Sequence, residues 1–134
     1  MRFLTLFVLI LIFGSCEKKE NKKRRDALLN RQWRLVELRT SGVVKDMQEC
    51  ESDNFTDFVD NGTFIVDFGV VQCHSAEPQT DTFSWAMTDD AQTLYLGPAN
   101  AKPTTEFEIL ELDEHIFKYR TTKYSYTVYT HVSL

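Results

Sequence analysis

The sequence lacks most of what would mark an enzyme. It contains no G-x-S-x-G nucleophile motif and no Gly-rich phosphate loop. Its three histidines (His74, His115 and His131) are scattered, and none accompanies a nucleophile. Acidic pairs such as Asp89-Asp90 and Asp113-Glu114 fall at turns, where Asp bonds its own backbone. There is no C-x-x-C and no His pair at i, i+4, which leaves a metal only the Cys73-His74 dipeptide. We expect no catalysis, no metal and no cofactor. Basic residues are scarce where a nucleic-acid surface would need them. From Ala27 onward eight Lys/Arg stand against seventeen Asp/Glu, a net charge of −9, whereas phosphate binding depends on neutralising cations. Long hydrophobic runs are missing too. Phe3–Phe13 has eleven residues, too few to cross a hydrocarbon core of about 30 Å as a helix. No stretch after Arg31 shows helical periodicity.

What remains is informative. With 134 residues, 43% of them hydrophobic and 13% aromatic, the chain fits one domain. Met1-Arg2 followed by the apolar run has the length and flanks of a secretory leader. The segment Phe13-Gly14-Ser15-Cys16 resembles the lipobox of bacterial lipoproteins. That resemblance implies a signal peptide over 1–15, a diacylglycerol thioether on Cys16, and an acylated amine exposed by cleavage before it. Two or three acyl chains suffice for stable anchoring, at about 0.8 kcal/mol per buried CH₂. Glu17–Asp26 holds six basic and three acidic residues and no apolar one, so 16–26 reads as a lipidated cysteine and a charged, flexible tether. Lys22-Lys23-Arg24-Arg25 within it suits anionic headgroups.

The domain, 27–134, reads as strands. Two β-prone runs, Asn54–Val59 and Thr63–Val71, flank Asp60-Asn61-Gly62, and Asn-Gly supplies the left-handed backbone of a tight hairpin. Cys50 and Cys73 stand just outside it. Setting Cys16 aside leaves two cysteines in an exported chain, so a disulfide is expected. The rival reading is a metal at Cys73-His74. Ala27–Arg31 suits one helical turn before a first strand carrying Trp33. Val43–Glu49 looks irregular, and Gly97–Pro103 looks like a loop because of its two prolines. Further strands are expected at Thr82–Met87, Gln92–Leu96, Thr105–Leu112, His115–Thr121 and Tyr124–Ser133. Their inward candidates include Phe107, Ile109, Phe117, Tyr119, Tyr124, Tyr126 and Val128, with a bulge or two-sided strand at Ile109-Leu110. Eight closely spaced strands with short sequential turns predict an all-β, antiparallel up-and-down barrel.

Trp33, Cys50, Asp53-Asn54-Phe55, Phe58, Asn61-Gly62-Thr63-Phe64, Cys73, Phe83-Ser84-Trp85, Leu94-Tyr95-Leu96 and Ile109-Leu110-Glu111-Leu112 together resemble the bacterial lipocalin-like lipoproteins. The resemblance runs over 31–134. It implies an eight-stranded lipocalin-like barrel tethered to a membrane of the bacterial cell envelope, the outer membrane first, with its side open. It further implies a small apolar or amphiphilic ligand. An eight-stranded barrel can hold one small ligand or fill with side chains. If it holds one, the candidate lining is Phe64, Trp85, Phe117, Tyr119 and Tyr126. If it is solid, loops 39–49, 74–80 and 97–103 would dock a protein partner.

Overall fold

The turn at Asp60-Asn61-Gly62 is built as its residues require. Gly62 adopts φ +83°, and its N–H donates to the Val59 carbonyl at 3.1 Å. The Asn61 carboxamide oxygen accepts from the Thr63 N–H at 3.0 Å and from its hydroxyl at 2.6 Å. The turn joins β3 (Phe55–Val59) to β4 (Thr63–Asp67) with Phe58 opposite Phe64. The computed structural model describes residues 2–76, 78–123 and 126–134, with side chains from Cys16 onward.

The chain opens with α1 (Arg2–Leu29), then runs through β1 (Gln32–Thr40), β2 (Val43–Lys45) and α2 (Glu49–Ser52) to the β3–β4 hairpin. It continues as β5 (Thr80–Met87), β6 (Thr93–Pro98), β7 (Thr105–Leu112), β8 (Ile116–Thr121) and β9 (Thr127–Ser133). Each strand from β3 to β9 pairs antiparallel with the next, and β9 returns to β1. β1 and β3 then close an eight-stranded barrel, through residues 32–34 alone, because β2 pairs with the far end of β1 at 38–40. The expected up-and-down barrel is what forms.

Two bulges decide which side chains face inward. In β1 the register shifts between Leu35 and Glu37, so Val36 is extruded and the alternation reverses. Trp33, Leu35 and Leu38 face the interior, and Glu37 pairs on the outside with Arg39 at 3.2 Å. In β7 the shift lies between Ile109 and Glu111. The extra residue is Leu110, so Ile109 and Leu112 both point inward. This resolves the two readings of Ile109-Leu110 in favour of a bulge.

Several expectations need correction. Glu17–Asp26 is helical in the structure, not an unstructured tether. It contains no Pro or Gly, it places Glu20 before Arg24 and Lys22 before Asp26 at i, i+4, and its end is docked. Leu28 is fully buried, the Trp33 indole donates to its carbonyl at 3.0 Å, and Arg25 reaches Asp60 at 3.6 Å. Val43–Glu49 is not irregular throughout: it contains β2 and begins α2. β4 stops at Asp67 because Gly69 turns at φ +69°. That turn aims the N–H groups of Val70 and Val71 at the Asp53 carboxylate, at 2.7 and 2.9 Å. β6 extends through Gly97 to Pro98, which is accepted as the last residue of the ladder. β9 begins at Thr127, and Val128, opposite Arg39 and Arg120, faces outward. Tyr124 lies outside the described residues.

Candidate functional site

The two ends of the barrel differ. At one end Leu28 of α1 plugs the interior, and Trp33, Phe58, Trp85, Leu94 and Phe117 fill the space above it. Their rings meet at right angles or edge-on: Phe58 with Trp85 at 5.4 Å, Phe58 with Phe117 at 5.8 Å, and Trp33 with Phe117 at 5.6 Å. The indole of Trp85 donates to the Val59 carbonyl at 2.9 Å. This half is solid core.

Toward the other end the inward side chains are only partly covered. Phe64, Phe83, Leu96, Pro98, Thr105 and Phe107 line an opening of about 330 Å³, at the lower limit of ordinary ligand pockets, about 300–1,000 Å³. Phe64 and Phe83 stack at 5.0 Å as a flat apolar wall. On the far side Tyr119 and Tyr129 stack at 5.0 Å, and Phe107 meets Tyr119 edge-on at 5.3 Å. Burial pushes both tyrosine hydroxyls upward from their ordinary pKa, so this wall is uncharged. A larger hollow of about 570 Å³ lies outside the barrel, between α1 and the β7–β8 turn. Its walls carry Lys23, Arg24, Arg31 and Glu114, charges of both signs that hold water better than an apolar body.

The five residues expected to line a cavity are therefore dispersed. Phe64 lines the opening. Tyr119 forms part of the wall beneath it, while Trp85 and Phe117 lie in the filled half. Tyr126 does not line a cavity: it precedes β9, is 63% exposed, and sits under the Arg120 guanidinium at 5.6 Å on the outer face. Its partner fixes this, because Arg120 alternates with the inward Tyr119 and bonds Glu108 outside at 2.6 Å. Sequence reasoning placed Phe107 inward but named neither it nor Phe83, Leu96 or Thr105 as lining the opening, and left His131 facing either way. The signal was present as alternation, but assigning it to lumen or exterior needs the register.

Cys50 and Cys73 form a disulfide with their Cα atoms 5.1 Å apart. The bridge consumes the sulfur that a metal at Cys73-His74 would use. Among the described residues no group of three His, Cys, Asp or Glu side chains could hold a metal ion. Cys16 is exposed on α1 with a free thiol. Among the described residues no helix is long and apolar enough to cross a membrane.

A closed eight-stranded antiparallel barrel, plugged at one end and open at the other, is the architecture of the lipocalins. The lipocalin-like domain family matches residues 29–119, and the chain belongs to that family. Among solved structures, Japanin from Rhipicephalus appendiculatus bound to cholesterol is similar, with a TM-score of 0.57 and 16% identity. The match covers 81% of this chain and 77% of that one, and at this identity the likeness is one of fold. No curated protein matches the chain.

Proposed function

We propose that the protein is a lipid-anchored lipocalin-like protein of the bacterial cell envelope whose open half holds a small apolar or amphiphilic molecule. The observation that carries this reading is the contrast within one barrel. Inward aromatics pack to completion near α1, yet leave an apolar hollow bounded by Phe64, Phe83, Leu96 and Phe107 at the other end. A half-covered apolar surface of this kind gains from a ligand that removes it from water, at roughly 25 cal/mol per Å². The similar barrel of Japanin was solved with cholesterol, which supports the same use here.

The anchor follows from Phe13-Gly14-Ser15-Cys16. Cys16 to the end of α1 at Leu29 is fourteen helical residues, about 20 Å at 1.5 Å per residue. Lys18, Lys19, Lys22 and Lys23 are exposed along that helix, while Arg24 and Leu28 face the barrel. The lysines suit anionic headgroups, each contributing about 1 kcal/mol near such a surface. Since α1 docks on the plugged end, the open end would face away from the membrane.

A second reading, docking of a protein partner, is favoured by the apolar rim. Val43 at the start of β2, and Val70 and Tyr126 in two loops, all at the open end, are strongly exposed. Titration of the full chain with isoprenoids, sterols, fatty alcohols, fatty acids and haem separates the two, read by tryptophan fluorescence. Saturable binding, weakened at least several-fold by Phe64→Ala with the far-UV circular dichroism unchanged, is expected. Silence across the panel would overturn the ligand reading and leave the rim as the functional surface.

A further inference from the structure

The reading of the open half as a ligand chamber leaves one buried group without a role. His131 lies on β9 with 8% of its surface exposed, opposite Phe117 and Leu35 in the ladders of β8 and β1. Its ring stacks on Tyr119 at 5.5 Å and on Phe117 at 5.8 Å, so it faces the lumen at the junction of the open and filled halves. Its Nδ1 is buried and has no hydrogen-bond partner. A buried polar nitrogen left unpaired carries its full desolvation cost, and core packing gives no reason to place one here.

The surroundings restrict what could pair with it. Lys118 and Arg120 on β8, and Arg34 and Arg39 on β1, alternate with inward residues and point outward. Arg39 and Arg120 are held there by Glu37 and Glu108. Below the rim, no inward position on the eight barrel strands is charged among the described residues. Asp81, opposite the inward Val66 at the rim, carries a negative charge. A carboxylate entering this lumen would meet no fixed cation, and His131, packed against uncharged rings, resists taking up a proton to pair with it, so burying its charge is costly. A hydroxyl pays no such cost. It both donates and accepts, so it complements a neutral imidazole in either tautomer.

We propose that the lumen selects an uncharged amphiphile, a long apolar body bearing a hydroxyl, and that this hydroxyl pairs with His131. The proposal rests on the chamber reading above and adds the chemistry of the ligand's head. Phe64, Phe83 and Leu96 take the apolar body, and Phe107 and the Tyr119–Tyr129 stack stand between that opening and the imidazole, so these rings must part to admit the hydroxyl.

The test compares three probes of equal chain length, 1-hexadecanol, palmitate and hexadecane, titrated into the full chain at pH 8. Hexadecanol should bind roughly tenfold more tightly than hexadecane, the worth of one buried hydrogen bond, and palmitate more weakly than hexadecanol. His131→Phe, which keeps the ring stack, should reduce hexadecanol to the level of hexadecane and leave hexadecane unchanged. A variant that retains the alcohol's advantage, or palmitate bound as tightly as hexadecanol, overturns the proposal. Nitrogen NMR of the wild-type histidines needs no variant: hexadecanol should move the His131 Nδ1 resonance where hexadecane does not, and an unmoved resonance is fatal to it. Equal binding of all three probes defeats the hydroxyl assignment alone. Binding of none defeats the chamber reading and the assignment together.

Discussion

His131 is placed where a charge is hardest to keep. Phe117 and Tyr119 on β8 and Leu35 on β1 surround it, none of them charged, and burial lowers its pKa to about 4. An unfolded histidine titrates near 6.5. Between those two values the unfolded chain binds a proton that the folded chain refuses, so stability falls as the pH drops through the window. The loss approaches about 3 kcal/mol at its acidic end. Urea melts at pH 7 and pH 5 should show about 2 kcal/mol of this loss in the wild type and little of it in His131→Phe. Equal losses in both would assign the effect elsewhere. The obvious rivals act lower. The Thr88 hydroxyl holds Asp90, and the His115 N–H holds Asp113, below the ordinary carboxylate range. Those exposed groups matter only near and below about pH 4.

At the scale of elements, the β3–β4 hairpin is secured at both ends by different chemistry. Asn61-Gly62 sets the turn, and the Cys50–Cys73 bridge ties α2 to the loop after β4. Within the bridged loop Asp53 caps the N–H groups of Val70 and Val71, and its carboxylate occupies the space a Cβ would need at Gly69. Closing this loop of 23 residues' separation should stabilise by about 3 kcal/mol in the chain-entropy model. Cys50→Ser with Cys73→Ser should therefore lower the unfolding free energy by that amount, seen as a lower urea midpoint, while keeping the far-UV spectrum. An unchanged midpoint, or free thiols in the non-reduced protein by mass spectrometry, would remove the bridge from the account. The turn and the cysteine pair were legible from residue types, because each is a local or pairwise demand. The bulges at Val36 and Leu110 were less so. An extruded residue has no signature of its own and is defined only against the partner strand.

For the whole molecule, α1 is the feature that gives the barrel a direction. Its end plugs one mouth with Leu28 and hydrogen-bonds through the Leu28 carbonyl to Trp33, leaving the apolar hollow at the opposite mouth. If Cys16 carries lipid, the apolar hollow opens toward solvent rather than toward the bilayer that holds the protein. Cells fed labelled palmitate should incorporate it into this chain, and Cys16→Ser should abolish the label and move the protein out of the membrane fraction. Label that survives the substitution would place the acylation elsewhere and leave the direction of the barrel without consequence.

The eight strands of the barrel (though not the short β2), their antiparallel up-and-down order, the Asn-Gly turn and the cysteine pair were determined by the sequence alone. Each depends on period-two alternation, turn chemistry or residue type, all readable within a few positions. Which inward side chains fill the barrel and which line a hollow was decided only by tertiary structure. Phe64, Trp85 and Phe117 look alike along the chain, and they differ in how completely neighbours cover them: Trp85 and Phe117 are buried, Phe64 only partly. Tyr126 and His131 were separated in the same way. One bulged register closing β9 on β1 turned the imidazole into the lumen, while the tyrosine, short of the strand, stayed outside on Arg120.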